Sequence, residues 1–264
     1  MSLKITILGC GSSGGVPRIG GSWGSCDPKN PKNRRRRCSI LVQQQTPNAT
    51  TNVLVDTSPD IRNQLLDTNV GWLDGVLYTH EHADHIHGID DLRAIAINGR
   101  DRVNVYADKA TLETLTQRFG YCFKAPSGSA YPPILKEHLI TPGEPITITG
   151  EGGEISTTAF EQVHGRIMSL GYRFNDLAYS SDLNDLPDAS VQALQALDIW
   201  IVDALKRTPH PTHFSLAETL QWIDRVNPKR AILTNMHIDM DYETLVNELP
   251  DNVVPAYDGM EIEI

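Results

Sequence analysis

The stretch of sequence that decides the fold reads Thr79-His80-Glu81-His82-Ala83-Asp84-His85. It places three histidines and an aspartate close together, directly after the apolar run Gly75-Val76-Leu77-Tyr78. That run predicts a buried strand, and open α/β layers bind ligands at the carboxyl ends of such strands. Imidazole and carboxylate groups are common ligands of zinc, manganese and iron. We therefore predict a site for one or two metal ions on the loop after this strand.

The length and composition are those of an ordinary globular protein, with 264 residues, 40% hydrophobic and 21% charged. They predict a single domain over residues 1–264. The net charge of −10 argues against a protein that coats long nucleic acids, because such binding depends on many phosphate contacts. It is compatible with a small anionic substrate at a local cationic site. The length and composition are also compatible with a homodimer.

The four cysteines, Cys10, Cys26, Cys38 and Cys122, form no Cys-x-x-Cys pair. We expect free thiols in a reducing compartment, the cytoplasm. No apolar run approaches the roughly 18 residues that a membrane span needs, and the N-terminus has a strand pattern rather than that of a signal peptide. We therefore expect no membrane partner.

Along the rest of the chain, short apolar strand patterns alternate with helical patterns, which predicts an α/β fold. Ser58 and Pro59 predict the N-cap and first residue of a helix. A second helix is expected over residues 212–226, and residues 253–264 are expected to close the chain as one strand. Asp56, at the end of a strand, is expected either to orient a ligand histidine or to form a plain turn.

A metal-competent side chain follows a predicted strand at four separate places. These are the cluster around His82, then His164, Asp182 and His237. Five of the nine histidines lie at such strand ends, so we expect these loops to converge on one site.

Two other stretches invite a functional interpretation. Gly9-Cys10-Gly11-Ser12-Ser13-Gly14 matches a dinucleotide-binding glycine pattern, but glycines and prolines follow it where that motif needs a helix. We predict a tight loop close to the site instead. The run Arg34–Arg37 is either a solvated surface or a positive lip that attracts phosphate.

The pattern His-x-His-x-Asp-His, followed by a distant His, Asp and His, resembles the metallo-β-lactamase superfamily. Residues 8–17 and 85–93 make the phosphodiesterase branch, with ribonuclease Z and the PhnP-like enzymes, the most similar. The resemblance implies a four-layer αββα sandwich in which helices flank two mixed β-sheets.

The resemblance also implies two divalent metal ions, zinc or manganese, with iron as a further option. His80, His82 and His164 would bind the first ion, Asp84, His85 and His237 the second, and Asp182 would bridge them. Two cations, two carboxylates and a bridging hydroxide leave a charge of about +1, which favours a phosphodiester and its transition state. The expected function is hydrolysis of small or cyclic phosphodiesters or nucleotides, with that hydroxide attacking phosphorus.

Asp84 and His213 are the expected catalytic residues. His213 would protonate the leaving group, and His210 competes for that role. Cys26 has no neighbouring cysteines, so a third, structural zinc is not expected.

Other functions remain as alternatives. The same fold also suits a thioester or lactam hydrolase, or an endonuclease that processes transfer-RNA 3′ ends, although Phe214 and Ser215 depart from the ribonuclease Z pattern after its histidine. A redox protein is disfavoured because the diiron redox members of the superfamily have a carboxylate at the position where this chain has His82. A binding protein without activity is disfavoured because every expected ligand is present.

Overall fold

The computed structural model describes residues 2–264, and these form fourteen strands and seven α-helices. The strands are β1 (Leu3–Gly9), β2 (Ser39–Gln45), β3 (Thr50–Val55), β4 (Gly75–Leu77), β5 (Val103–Ala107), β6 (Leu135–Leu139), β7 (Pro145–Gly150), β8 (Gly153–His164), β9 (Ile167–Phe174), β10 (Leu177–Ser180), β11 (Ile199–Asp203), β12 (Arg230–Thr234), β13 (Val253–Pro255) and β14 (Met260–Glu263). The helices are α1 (Ile61–Asp67), α2 (Ala83–Ile86), α3 (Leu92–Gly99), α4 (Lys109–Phe123), α5 (Asp188–Ala193), α6 (Leu216–Val226) and α7 (Tyr242–Glu248).

The chain builds two seven-stranded mixed sheets, the first from β1 to β6 together with β14 and the second from β7 to β13. The first has the order β14-β1-β2-β3-β4-β5-β6, and the second has the order β13-β12-β11-β10-β9-β8-β7. In the first sheet β3 to β6 run parallel, and in the second sheet β10 to β13 do. The loops after parallel strands emerge at one edge of a sheet, so several predicted ligands are delivered to the same end of the molecule.

Alternation along β3 shows how the layers pack. Val53 and Val55 point into the core between the two sheets, where they join Tyr172 and Trp200 of the second sheet. Leu54, between them, points to the other face and packs in a second cluster with residues of α1, α3 and α4. Because successive side chains of a strand face opposite ways, the apolar run of β3 is buried on both faces. The architecture is the predicted αββα sandwich.

The structure corrects three local predictions. Helix α1 begins at Ile61 rather than Pro59, because Ser58 Oγ accepts a hydrogen bond from the backbone N–H of Asp60 and forms a turn before the helix. Residues 253–264 form two strands in different sheets, β13 and β14, separated by a turn at Gly259, whose φ is 88°.

Helix α6 begins at Leu216 rather than at residue 212. Ser215 caps it in a reciprocal capping box with Glu218, which satisfies free N–H groups of the first turn. His213 therefore lies in the loop before the helix. Strand β6 was not predicted.

The four cysteines are free and buried, as expected. Within residues 2–264, none of the helices combines the length and the apolar character that crossing a bilayer requires.

Candidate metal centre

The predicted metal-binding loops meet in a cavity of about 360 Å³ at the carboxyl ends of the parallel strands. The loop after β4 brings His82 and Asp84 to it, and the end of β8 brings His164. Asp182 follows β10, and His237 follows β12. Loops that are far apart in the chain therefore converge, as the sequence predicted.

Three overlapping groups could each hold a metal ion, because the ligand atoms within each group lie within 4.8 Å of one another. They are His80, His82 and His164, then His80, His85 and Asp182, and finally His164, Asp182 and His213. Nε2 of His164 is 3.2 Å from Nδ1 of His82, and Nε2 of His85 is 3.1 Å from Oδ1 of Asp182. The side chains of these residues are buried, apart from exposed His82 and half-buried His213.

Asp56 determines which nitrogens of His80 and His85 face the cluster. Its Oδ2 accepts hydrogen bonds from Nδ1–H of His85, at 2.7 Å, and from the Thr79 hydroxyl, at 2.8 Å. Because that hydroxyl donates to Asp56, its oxygen accepts the Nδ1–H of His80, at 2.9 Å. Both histidines therefore turn Nε2 towards the cluster. Of the two roles expected for Asp56, it orients a histidine, His85, rather than only forming a turn, and metal binding by His85 stays a prediction.

His164 is oriented in the same manner from the second sheet. Its Nδ1–H donates to the backbone carbonyl of Thr212 at 2.7 Å. Its Nε2 lone pair is consequently directed at His82. Burial is the main cause that lowers the pKa of His164, so the ring is held neutral, which is the form that binds metals.

The convergence of imidazole nitrogens on a buried carboxylate fits a metal cation. Nε2 of His80 is buried and has no hydrogen-bond partner, although an unsatisfied buried polar atom is costly. Burial and the neighbouring His85 lower the pKa of His80 well below its usual range, so protonation cannot satisfy this nitrogen at neutral pH. A divalent cation shared with Asp182 would satisfy it.

The remaining two predicted ligands lie at the margin of this cluster. Oδ2 of Asp84 is 3.5 Å from Nε2 of His85. His237 lines the cavity, but its Nε2 contacts the Arg18 guanidinium and its Nδ1 lies 3.0 Å from Oδ1 of Asp239. The coordination of a metal by His237 stays a prediction, as does the division of all seven residues between two ions.

His213 lies against the cluster on its other side. Its Nδ1–H donates to Oδ2 of Asp203 at 2.8 Å, and its Nε2 is 3.8 Å from Oδ2 of Asp182. Burial lowers the pKa of His213, but the carboxylates of Asp203 and Asp182 outweigh burial and raise it to about 9. His213 therefore carries a proton on the nitrogen that faces the cavity.

Asp203 lies at the site, and the sequence analysis gave it no role. It is fully buried at the end of β11. The sequence contained a signal for it, because Asp203, like Asp56, is an aspartate at the end of an apolar strand.

The competing histidine, His210, also lines the cavity. Its ring centroid is 5.2 Å from that of His213. Burial and the neighbouring His213 lower the pKa of His210, so this ring is neutral where His213 is charged. Of the two histidines, His213 is the one that lies within 4 Å of Asp182.

Two cations at the cavity were not predicted. Arg18 and Lys206 both line it. In the described part of the chain, neither has a carboxylate within 4.0 Å. They add positive charge to the mouth of a cavity that already holds His213.

The run Arg34–Arg37 is not the uniformly solvated surface that was one expectation. Arg35 is only 2% exposed. Arg36 pairs with Asp67 at 2.7 Å and with Asp258 at 3.2 Å, and Arg37 pairs with Asp60 at 3.1 Å. The last two arginines are thus neutralised within the fold.

Comparison with known proteins agrees with this geometry. Residues 51–238 match the family model of the beta-lactamase superfamily domain. Among curated proteins, an octanoyltransferase of Porphyromonas gingivalis is 29% identical over 263 residues, which is 98% of this chain and 51% of the relative. The chain therefore spans about half the length of this curated relative.

Similar solved structures have the same fold over the whole chain. A diphosphatase from the PhnP family is 34% identical, with a TM-score of 0.86, and the match covers 100% of this chain and 98% of that one. Zinc-bound PqqB from Methylobacterium extorquens is 17% identical, with a TM-score of 0.74 and coverage of 99% and 100%. The short form of human tRNase Z is 16% identical, with a TM-score of 0.63 and 98% of each chain covered.

The likeness to PqqB and tRNase Z concerns the fold alone. The family match and the histidine–aspartate cluster together support divalent metal binding and a metal-dependent hydrolase. By its sequence over residues 51–238 and its whole-chain similarity to the diphosphatase, this chain belongs to the metallo-β-lactamase superfamily and is PhnP-like.

Proposed function

We propose that this chain is a phosphodiesterase with two metal ions, acting on small or cyclic phosphodiesters or nucleotides. The observation that carries the proposal is the cluster of inward-facing imidazole nitrogens around Asp182, with Arg18, Lys206 and His213 on the walls of the same cavity. Such an arrangement favours an anion that gains negative charge in the transition state.

The residues that would hold the metals are those that the resemblance to the family implies. His80, His82 and His164 would bind one ion, Asp84, His85 and His237 the other, and Asp182 both. The cations, zinc or manganese with iron as a further option, would polarise the phosphoryl oxygens and lower the pKa of water to near neutral. Asp56 would keep His80 and His85 in the tautomer that coordinates.

His213 would supply the proton that the leaving alkoxide needs. Asp203 holds Nδ1 of His213 at 2.8 Å, which leaves Nε2 as the nitrogen that exchanges protons with the cavity. Nε2 also lies within 4 Å of Asp182, so a substrate bound next to the cluster comes within reach of this donor.

The cations at the cavity mouth would position the substrate. Arg18 and Lys206 have no carboxylate partner, and the Arg18 guanidinium contacts only the neutral acceptor Nε2 of His237, so both cations could pair with non-bridging phosphate oxygens. Ser12 and Ser13, from the glycine-rich loop after β1, lie in the same wall. A cavity of about 360 Å³ and a net charge of −10 favour a small substrate over transfer RNA.

A thioester hydrolase is the second candidate. One observation favours it, because the curated relative from P. gingivalis is named an octanoyltransferase, a class that handles acyl groups. The cavity opposes it, since Leu205 is the only large aliphatic side chain among the lining residues. A medium-length acyl chain would find little apolar surface there.

Metal analysis and a substrate panel together test the proposal. We expect about two equivalents of metal per chain, together with hydrolysis of bis-p-nitrophenyl phosphate but not of an octanoyl thioester or nitrocefin. Asp182→Asn should abolish activity. Asp185→Asn is the matched control, because Asp185 is exposed, lies three residues away and is outside the cavity.

Hydrolysis of the thioester without hydrolysis of the phosphodiester would replace the leading proposal with the second candidate. Two bound metals without turnover of any of these esters would refute both.

A further inference from the structure

A second cavity, of about 650 Å³, lies next to the metal centre and shares Arg18 with it. We call it the arginine cavity. Its charged lining consists of five arginines and three aspartates: Arg18, Arg34, Arg35, Arg36, Arg37, Asp60, Asp67 and Asp258. This local excess of positive charge is unusual in a chain with a net charge of −10.

The aspartates neutralise only two of the five arginines. Arg36 pairs with Asp67 and Asp258, and Arg37 pairs with Asp60. Between residues 2 and 264, the other three arginines lie beyond 4.0 Å of every carboxylate oxygen. The uncompensated charge therefore belongs to Arg18, Arg34 and Arg35.

Arg35 is the most unusual of the three. It is 2% exposed, and its Nε has no hydrogen-bond partner. Its other nitrogens make only long contacts, of 3.8 Å from Nη1 to Sγ of Cys26 and of 3.4 Å from Nη2 to Oδ1 of Asn33. A buried guanidinium normally has a carboxylate or several strong acceptors, because an uncompensated buried charge is costly. An anion in the cavity would lower that cost through its charge.

Arg18 and Arg34 are placed to touch such an anion. Both are exposed and both line the cavity. Arg34 lies over the ring of Trp23, with its guanidinium carbon 5.6 Å from the ring centroid, and this contact limits its motion. Pro17 and Ile19 form an apolar part of the wall, and Ile19 is fully exposed.

We propose that the arginine cavity binds the phosphate group of a small molecule. Two exposed guanidinium groups offer paired N–H donors that match phosphate oxygens, and the buried charge of Arg35 adds to the attraction. The apolar wall would contact the organic part of the molecule. The phosphate has two conceivable sources: the far end of a substrate whose phosphodiester lies at the metal centre, which Arg18 would connect, or a separate phosphorylated ligand.

Titration of inorganic phosphate into the metal-loaded protein, followed by calorimetry, tests the proposal. Arg34→Ala should weaken binding roughly tenfold, because it removes a charged donor while leaving the metal-binding residues unchanged. Arg93→Ala is the matched control, since Arg93 is also on the surface and pairs only with Asp90. It should change the affinity less than twofold.

Phosphate can also bind at the metal centre, so the loss must be specific to the arginine variants. Arg18→Ala/Arg34→Ala should weaken binding further than Arg34→Ala alone. Equal affinities in wild type and in both arginine variants, or no phosphate binding by the wild type, would overturn the proposal.

Kinetics distinguish the two sources. The substrates are a nucleoside p-nitrophenyl phosphodiester with and without a second, terminal phosphate. If the cavity holds the substrate's far end, Arg34→Ala should raise KM roughly tenfold only for the doubly phosphorylated substrate. If it holds a separate ligand, both KM values should stay unchanged while phosphate binding is lost.

This binding experiment does not depend on the proposed function. A chain that binds phosphate in an Arg34-dependent way without hydrolysing either ester would support the arginine cavity and count against the phosphodiesterase. A chain that hydrolyses both esters, with Arg34→Ala changing neither KM nor phosphate affinity, would do the reverse.

Discussion

Two buried aspartates, Asp56 after β3 and Asp203 at the end of β11, each hold the Nδ1–H of a histidine at the metal centre. Asp56 accepts from three donors, which are the Thr79 backbone N–H, the Thr79 hydroxyl and His85. Asp203 accepts from His213 and from the backbone N–H of Leu183, at 3.3 Å, and its Oδ1 has no partner.

The difference between the two aspartates corresponds to two chemical tasks. Asp56 is nearly saturated with donors and is held in a left-handed backbone conformation, with φ of 64°, which a non-glycine residue adopts only at an energetic cost. This rigidity suits a group that fixes metal ligands. Asp203 is less saturated, and it supports a histidine that must gain and lose a proton.

The largest expected effect tests the proton-transfer side of this comparison. His213→Ala should lower kcat roughly 10²- to 10⁴-fold on phosphodiesters with an alkoxide leaving group, because general acid catalysis is lost. The loss should be much smaller with p-nitrophenolate, which leaves without a proton. Steady-state kinetics on both substrates measure the difference, and metal content should equal that of the wild type.

His210→Ala is the control for His213→Ala, because His210 lines the same cavity. It should change kcat only slightly. If His210→Ala shows the leaving-group dependence instead, the proton donor has been misidentified.

Asp56→Asn tests the metal side. Asparagine tolerates the left-handed backbone of this position, but an amide cannot accept all three hydrogen bonds. Metal affinity should fall about 10- to 100-fold, as is typical when the partner of a metal-ligating histidine is lost. Competition with a chromogenic chelator measures the affinity.

Asp74→Asn provides the comparison for Asp56→Asn. Asp74 is a partly buried carboxylate that accepts from the backbone N–H of Asn52, far from the cluster. Its replacement should leave metal affinity unchanged. Equal losses in the two variants would mean that Asp56 acts only through stability.

Asp203→Asn should have a smaller effect than His213→Ala, with kcat on the alkoxide substrate falling about tenfold, because one charge-assisted hydrogen bond is lost. The carboxylate of Asp203 raises the pKa of His213, so its loss lowers that pKa. The protonated fraction of His213 then declines at lower pH, and the alkaline limb of the kcat–pH profile should move to lower pH. An unmoved limb would contradict the role of Asp203 in positioning His213.

Thr79→Val should have the smallest effect. It removes the hydroxyl between Asp56 and His80 but leaves the His85–Asp56 hydrogen bond in place. Metal affinity should fall about fivefold, the value of the one hydrogen bond that orients His80. Chelator competition measures this affinity as well. If Thr79→Val lowered metal affinity as much as Asp56→Asn does, His80 and His85 would not be held by independent hydrogen bonds.

The sequence located the first-sheet half of the site because its expected ligands lie close together in the chain. One apolar strand precedes all four of them, His80, His82, Asp84 and His85. A short stretch of sequence therefore shows both where the strand ends and which residues could bind a metal. The second-sheet half is assembled from separate loops. Which of His213 and His237 lies closer to Asp182 depends on how those loops fold, and no local pattern contains that information.

Contacts with distant parts of the chain also decide which arginines of the run Arg34–Arg37 are paired, and no local pattern shows them. Whether Arg36 and Arg37 are free or paired depends on Asp60, Asp67 and Asp258, of which Asp258 is more than 200 positions away. The sheet to which each strand belongs was similarly out of reach at the C-terminus, where only a short turn separates β13 from β14 but the two strands belong to different sheets. The fold class needed only the alternation of strands and helices together with the histidine motif.

The passage of the chain from β13 to β14 has a consequence for the two halves of the molecule. After β13, which lies in the second sheet, the chain crosses to the first sheet, where β14 pairs antiparallel with β1. Residues from the other half of the chain therefore complete the edge of the first sheet. Expressed as separate fragments, the first half would lack β14, and each half would lack the core partners that the other sheet provides. We expect the fragments to be insoluble alone and to regain structure when co-expressed, as in a split-protein reporter.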